Sequence, residues 1–314
     1  LYIAMKGTGK VLITDCPVQS ADWSKIQELA GLVEIENFFA QFNFKCESKD
    51  GRLVNKLITD TCSTSNRSSE KHKNNYINID LGSDSLLHSL RKDFKKFSVS
   101  CYDQKIMRHT HNETNNLYLV LADIFCADFI INIPKLKTHP KAGLSGSLKN
   151  LVGIIGHKDC LPHFRKGSAM LSGSDEFPGD GYLERFFWNI KHKEWEANKV
   201  LQKRIFYFLS RIAAKFIKPD KLSKGQGNWF GNDTIWRTIL DINRIFFHSA
   251  AFTNNLNGSR YFNFLTIIDG IIGGEKNSPL SPSPKISYSL IAGINPVAVD
   301  FVVSWFSVKW NFEV

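Results

Sequence analysis

Asp128-Phe-Ile-Ile-Asn-Ile-Pro-Lys-Leu-Lys-Thr-His-Pro-Lys-Ala-Gly-Leu-Ser-Gly-Ser-Leu-Lys-Asn150 is the stretch whose reading decides the fold. Residues 128–133 form a short apolar run that stops at Pro134, which predicts a buried strand. Residues 134–142 read as a loop, and residues 143–155 as a helix with a glycine-rich opening. A strand that passes through a loop into a helix is where α/β sheets place ligands. Here Lys135, Lys137, Lys141 and Lys149 surround His139, and Gly143 and Gly146 permit close approach to the backbone. Amide groups at a helix start favour an anion, and ammonium groups add to that preference. A phosphate or carboxylate ligand is therefore expected, with Lys135, Lys137, Gly143, Ser145, Gly146 and Asn150 as binding positions. The stretch is not a P-loop, because it lacks G-x-x-x-x-G-K-[ST].

Lysines on a loop are ordinarily solvated, which is the plain reading of Lys135 and Lys141. Lys149 is different, since it stands between Leu148 and Leu151 in an apolar segment and needs a carboxylate or a ligand. A lysine in such a setting can have a lowered pKa and act as a nucleophile. His139 and Lys149 are the expected catalytic pair, with His139 moving protons.

Two acid-bearing segments are candidates to join them. Residues 264–269 form an apolar strand that closes on Asp269, and Gly270-Ile-Ile-Gly-Gly-Glu275 reads as a loop. Asp300 lies inside an apolar helix over residues 296–306, with Pro296 in its first turn. Asp269, as a third catalytic group, and Glu275 and Asp300, as ligand-binding acids, are expected to pair with Lys137 or Lys149 or to bind a metal. For Asp300 the plain alternative is a cap on a neighbouring backbone. His157 and His163 with His139 match no standard metal spacing and are expected at the surface.

Elsewhere strand and helix signals alternate. Strands are expected at 11–15, 53–60 and 287–293, and an exposed polar loop at 61–75. Helices are expected at 24–42, at 83–97 with Ser83 or Asp84 as cap, at 117–126, and at 233–247 capped by Asn232 or Asp233. The clearest helix covers 195–218, with a stripe of Leu201, Ile205, Phe208, Leu209, Ile212 and Phe216, and Pro219 is expected to stop it. The expected fold class is α/β, a mainly parallel sheet covered by helices on both faces. One domain over 1–314 is expected, with a helical insertion at 186–230. The start at Leu1 without an initiator Met, almost on a strand, reads as an N-terminally truncated fragment.

The 314 residues are 43% hydrophobic and 22% charged, which is ordinary globular usage and argues against wholesale disorder. Forty Lys and Arg against thirty Asp and Glu leave a net charge of +10, favouring an anionic partner. Nucleic acid is not the expected partner, since no helix-turn-helix, RNA-recognition or zinc-finger signature is present. Cys16, Cys46, Cys62, Cys101, Cys126 and Cys160 are scattered, without iron–sulfur or zinc spacing. Such cysteines suit a reducing compartment, so a cytoplasmic location is expected. The cofactor stays open between a nucleotide-type group and a metal.

Phe129-Ile-Ile-Asn-Ile-Pro-Lys-Leu-Lys-Thr-His139 and Lys149-Asn-Leu-Val-Gly153 resemble the core signature of the family called domain of unknown function 362. Ile268-Asp-Gly-Ile-Ile-Gly-Gly-Glu275 and Ala292-Gly-Ile-Asn-Pro-Val-Ala-Val-Asp300 are similar to its later stretches. The segment Gly227-Asn-Trp-Phe-Gly-Asn-Asp-Thr234 resembles members found beside surface-polysaccharide genes. A remoter likeness is to lactate racemase, which binds a nickel-pincer nucleotide through a lysine. His139, Gly143-Leu-Ser-Gly-Ser147 and Lys149 follow a similar spacing, although Asn150 departs from it and no downstream histidine aligns as a nickel ligand. The resemblance implies an enzyme binding an anionic small molecule or nucleotide-type cofactor, an isomerase or epimerase or other chemistry tied to surface polysaccharide. The alternative is a non-catalytic assembly factor that meets an anionic membrane peripherally through the basic helix at 195–218.

Overall fold

The computed structural model describes residues 8–54, 56–58, 64–66, 74–102, 104–252, 263–311 and 313. The opening residues 1–7, Cys62 and most of the polar loop expected at 61–75 lie outside the described residues. Helices and strands are mixed along the chain in open sheets, and the fold class is α/β.

Its longest strand, Asn263–Glu275, is the centre of a five-stranded sheet. Phe264, Thr266 and Ile268 alternate inward along it, the period of two that makes it a strand. On one side it pairs antiparallel with Ser283–Gly293. On the other run Phe129–Asn132 and Lys135–His139, both parallel to it. Pro134 divides these two, and its carbonyl still accepts from Asp269 N at 2.9 Å, so they act as one interrupted edge. Lys135–His139 then turns back on Gly143–Ser145 as an antiparallel pair.

Several expectations change here. Residues 134–142 are mostly strand, and residues 143–155 open as a strand, with only Ser147–Asn150 α-helical before a 3-10 turn at Leu151–Ile154. Residues 270–275 continue the central strand instead of forming a loop. Among the described residues, parallel pairing joins Lys10–Asp15 to Lys45–Asp50 and the central strand to its two short neighbours, while five strand pairs are antiparallel. The sheet is mixed rather than mainly parallel. One face of the hairpin packs Leu136 and Ile268 on Val299 and Val303 of the helix Pro296–Lys309. On the other, Ile286, Tyr288 and Leu290 are exposed, as an antiparallel hairpin tolerates.

The main core lies between the antiparallel pair Tyr76–Asp80 and Leu117–Leu121 and the helix Ile235–Phe252. Ile79, Tyr118 and Val120 meet Ile242, Ile245 and Phe246 there, together with Leu151 and Ile155. Residues 117–126, expected to be helix, are a strand followed by the single turn Asp123–Cys126, because Leu-Tyr-Leu-Val-Leu buries both of its faces. Asp241 fastens this core by accepting from Tyr118 Oη at 2.9 Å, Leu86 N at 2.8 Å and Ser85 Oγ.

Local chemistry sets the remaining boundaries. Gly31, in the left-handed region at φ 63°, splits the helix expected at 24–42 into Trp23–Leu29 and Leu32–Ala40. Ser85, not Ser83 or Asp84, caps the 3-10 helix Leu86–Lys96, whereas Asn232 caps the helix at Ile235 as expected. The single helix expected at 195–218 is two, Tyr182–Glu196 and Val200–Ala214, packed on each other. Pro219 opens a further short helix, Pro219–Ser223, as a first-turn proline.

Candidate functional site

Residues 146–163 are the junction of the molecule, and the site forms where they cross two strand ends. Gly153 O accepts from Cys16 N at 2.7 Å, fixing this segment beside Asp15, the last residue of the strand Lys10–Asp15. The loop after Asp15 is itself held rigid. Arg52 is buried against Asp50 at 2.6 Å, and its Nη1 donates to the carbonyls of Val18, Gln19 and Ala21. On the other side Asn132 donates to Ser147 O at 3.0 Å and accepts from Asn150 Nδ2 at 2.7 Å. Ser147 Oγ meets Thr266 Oγ1 at 2.6 Å, completing a polar clasp between the junction and the central sheet.

His139 ends its strand and is almost fully buried. Lys141 N donates to its Nδ1 at 3.2 Å, which places the imidazole proton on Nε2. Burial, with Lys149, Lys141, His163 and Lys137 nearby, pushes its pKa down to about 2. His139 is therefore held neutral, with the proton of its ring on Nε2 as a hydrogen-bond donor. His163 is half-buried, not a surface histidine; its Nδ1 donates to Leu161 O at 2.7 Å, and burial with Lys141 and Lys149 lowers it to about 3. His157 is also buried.

The lysines gather around these rings. Burial lowers Lys149 to about 8, and among the described residues the charges that act on it are the cations Lys137, Lys158 and Lys141. Burial also lowers Lys137, with Asp15 opposing the shift. Lys158 is buried and donates to Val152 O at 2.6 Å, while Cys16 and Asp15 counter its desolvation. Lys141 is lowered to about 8 and donates to Gln226 O at 2.7 Å, its ammonium lying 5.2 Å from the centre of the Phe164 ring. Asp15 is reached by solvent, yet desolvation by surrounding protein raises its pKa over the opposing pull of Lys158. Gly153 is required beside it, since a side chain there would overlap the Asp15 carboxylate.

The expected acids stand apart from this group. Asp300 accepts from Ser147 N at 2.5 Å and Leu148 N at 2.9 Å, so it caps the short helix Ser147–Asn150. The amide-rich helix start expected to receive an anion is thus already filled by the protein's own carboxylate, and a side chain at Gly146 would collide with it. Asp269 pairs with Lys135 at 2.7 Å on the exposed end of the strand and accepts from Ile271 N at 3.1 Å. Burial raises its pKa less than Lys135 and that amide lower it. Glu275 is buried against Lys285 at 3.7 Å and accepts from Glu313 N at 3.2 Å. Ser145 is buried opposite Lys137 in the hairpin, whereas Gly143 and Asn150 are exposed. Among the described residues no group of three or more His, Cys, Asp or Glu is placed to hold a metal ion. Cys16 is buried with its thiol pushed up to about 12, which removes it as a nucleophile.

The structure therefore brings together His139, Lys137, Lys141 and Lys149, and adds Asp15, Lys158 and His163. Asp15 ends an apolar run just as Asp269 does, so one signal marked both. Lys158 has no signal in the sequence at all.

Residues 37–304 match the family described as Domain of unknown function (DUF362). The chain belongs to this family. No curated protein and no solved structure matches the chain, and the likeness to lactate racemase gains no support from these comparisons. The DUF362 span includes every lysine and histidine of this group, whereas Asp15 precedes it.

Proposed function

We propose that this DUF362 chain binds an anionic small molecule in the basic cleft, through a phosphate or carboxylate held by Lys149 and Lys137. The neutral His139 donates a hydrogen bond to the same ligand. One observation carries the reading: Lys149 is desolvated among cations, with no carboxylate acting on it among the described residues. Lys149 is half-buried, and a desolvated charge with no opposite partner is costly; a bound anion offsets that cost. A nucleotide-type cofactor belongs to this ligand class through its phosphates.

The enzyme reading follows from the same residue. A pKa of about 8 leaves roughly a tenth of Lys149 uncharged at pH 7, enough for attack on a carbonyl or for proton abstraction. An isomerase or epimerase acting on a hydroxyacid- or sugar-like substrate, tied to surface polysaccharide, fits these groups. The scattered cysteines, with no paired metal or iron–sulfur spacing, suit a cytoplasmic setting. Calorimetric titration with inorganic pyrophosphate and with ATP tests the site. Lys149→Ala should weaken binding at least about tenfold, the equivalent of one lost charge-assisted contact. An unchanged affinity in a folded variant would overturn the reading.

A further inference from the structure

The helix Val200–Ala214 is inside out. Leu201, Ile205, Phe208 and Ile212 recur every three or four residues, a stripe that Phe216 continues, and the sequence predicts a core-facing helix from that spacing. In the structure all of them are exposed, Leu201 at 69%, Phe208 at 65% and Phe216 at 71%. Toward the protein the helix turns Phe206 and Tyr207, both half-buried, and Ser210 and Ala213, both buried; Ser210 Oγ reaches Glu194 Oε2 of the preceding helix at 3.4 Å.

Charge completes the pattern. Residues 197–219 contain no Asp or Glu, and Lys199, Lys203, Arg204, Arg211, Lys215 and Lys218 lie among them. Arg204, Arg211 and Lys215 are exposed and spaced seven and four residues apart, so they form a second stripe flanking the apolar one. No described helix is long and apolar enough to cross a membrane. A helix with Leu, Ile and Phe outward and a purely basic flank is instead built to lie in the headgroup layer of an acidic bilayer.

We infer that this helix docks the protein on the surface of a membrane containing anionic lipid. Leu201, Ile205, Phe208 and Ile212 enter the acyl boundary, and Arg204, Arg211 and Lys215 meet the headgroups. The surface is separate from the basic cleft and does not depend on it. Lysines alone would give a weak, diffuse attraction, and an apolar stripe alone would serve a protein partner as well. The two side by side, with no acid between them, select anionic lipid.

Flotation of the full chain tests this with vesicles of phosphatidylcholine alone and of phosphatidylcholine containing phosphatidylserine. Recovery is expected with the acidic vesicles only, and it should fall at high salt as the basic residues are screened. Arg204→Ser with Arg211→Ser and Lys215→Ser should lower partitioning roughly a hundredfold, about fivefold for each charge removed. Phe208→Glu with Ile212→Glu should abolish it while thermal unfolding stays unchanged, because both positions are exposed. No recovery, or equal recovery with neutral and acidic vesicles, overturns the inference. A wild-type dimer in sedimentation that Phe208→Glu with Ile212→Glu splits also overturns it, by assigning the stripe to a second copy of the chain.

Discussion

Two clusters of buried charge lie next to each other along the chain, and they are built on opposite rules. Arg165 is met by three carboxylates, Asp93 at 3.1 Å, Asp175 at 3.8 Å and Asp233 at 3.9 Å. Asp175 in turn accepts from Arg165 N, from Asp233 N at 2.9 Å and from Thr234 Oγ1 at 2.7 Å. Lys149 is surrounded by Lys137, Lys158 and Lys141. The first cluster neutralises its charge with carboxylates; in the second Asp15 acts on Lys137 and Lys158, but among the described residues no carboxylate acts on Lys149. Buried charge is thus evidence of a ligand site only where the chain fails to answer it.

The sharpest way to break this contrast is to remove one member of each cluster. Asp175→Ala should destabilise the protein by about 3–5 kcal/mol, because it strands Arg165 and several backbone and hydroxyl donors. Lys149→Met should leave stability unchanged or raise it, since it deletes a charge that the folded state holds at a cost. Urea unfolding of the two variants gives both values. Equal losses would show that the lysine cluster is structural after all.

Acid should act on the cleft more strongly than on its neighbour. An unfolded histidine titrates near 6.5, whereas His139 in the fold is held down to about 2 and His163 to about 3. Between those values the unfolded chain binds more protons, so stability falls as pH drops from about 6.5 toward 3. Each ring contributes up to about 1.4 kcal/mol per pH unit in that window. His163→Gln should flatten the dependence of unfolding free energy on pH, and an unaltered slope would mean that His163 is solvated. At the alkaline end the sign concerns the ligand. Lys149 loses its proton as pH rises through about 8, so anion affinity should fall above that pH, by at most about tenfold per unit for one linked proton. Affinity that is flat from pH 7 to 9.5 would exclude Lys149 from the contact.

How far this was legible in the sequence depends on the kind of cause. The strand at residues 128–133, Asn232 as a cap and Pro296 in a first turn are local effects, and each is where periodicity and capping chemistry put it. Lys149 stood out because an ammonium between leucines is a local contradiction. The errors came from partners distant in sequence. Residues 117–121 are a strand because Tyr76–Asp80 pairs with them, and residues 135–139 are a strand because the central hairpin lies alongside. Asp300 caps a helix 153 residues away, and no pattern within either segment announces it. The stripe on Val200–Ala214 fits either a core-facing or a membrane-facing helix by spacing and charge, and tertiary structure decides that it faces outward.

Asp300 makes the next test. Asp300→Ala should cost about 1–2 kcal/mol, the usual loss for an N-terminal cap, with a smaller effect on ligand affinity than Lys149→Ala. A loss of affinity as large as that of Lys149→Ala would instead place the carboxylate in the ligand's reach.

The smallest effect is expected at the pair that the sequence ranked highest among the acids. Lys135 and Asp269 share the strand face with Lys137 and His139, as residues two apart in a strand do, yet they lie at its exposed end and neutralise each other. An exposed ion pair is worth at most about 1 kcal/mol, so Asp269→Asn and Lys135→Gln should each change stability by less than that and pyrophosphate affinity by less than about twofold. Because both groups stand so near the cleft, this null result is informative: it would fix the boundary of the site between Lys135 and Lys137. A tenfold loss of affinity in Asp269→Asn, with stability intact, would move that boundary outward by one residue pair. The exposed acid would then join Asp15 as a carboxylate of the cluster able to orient a bound ligand.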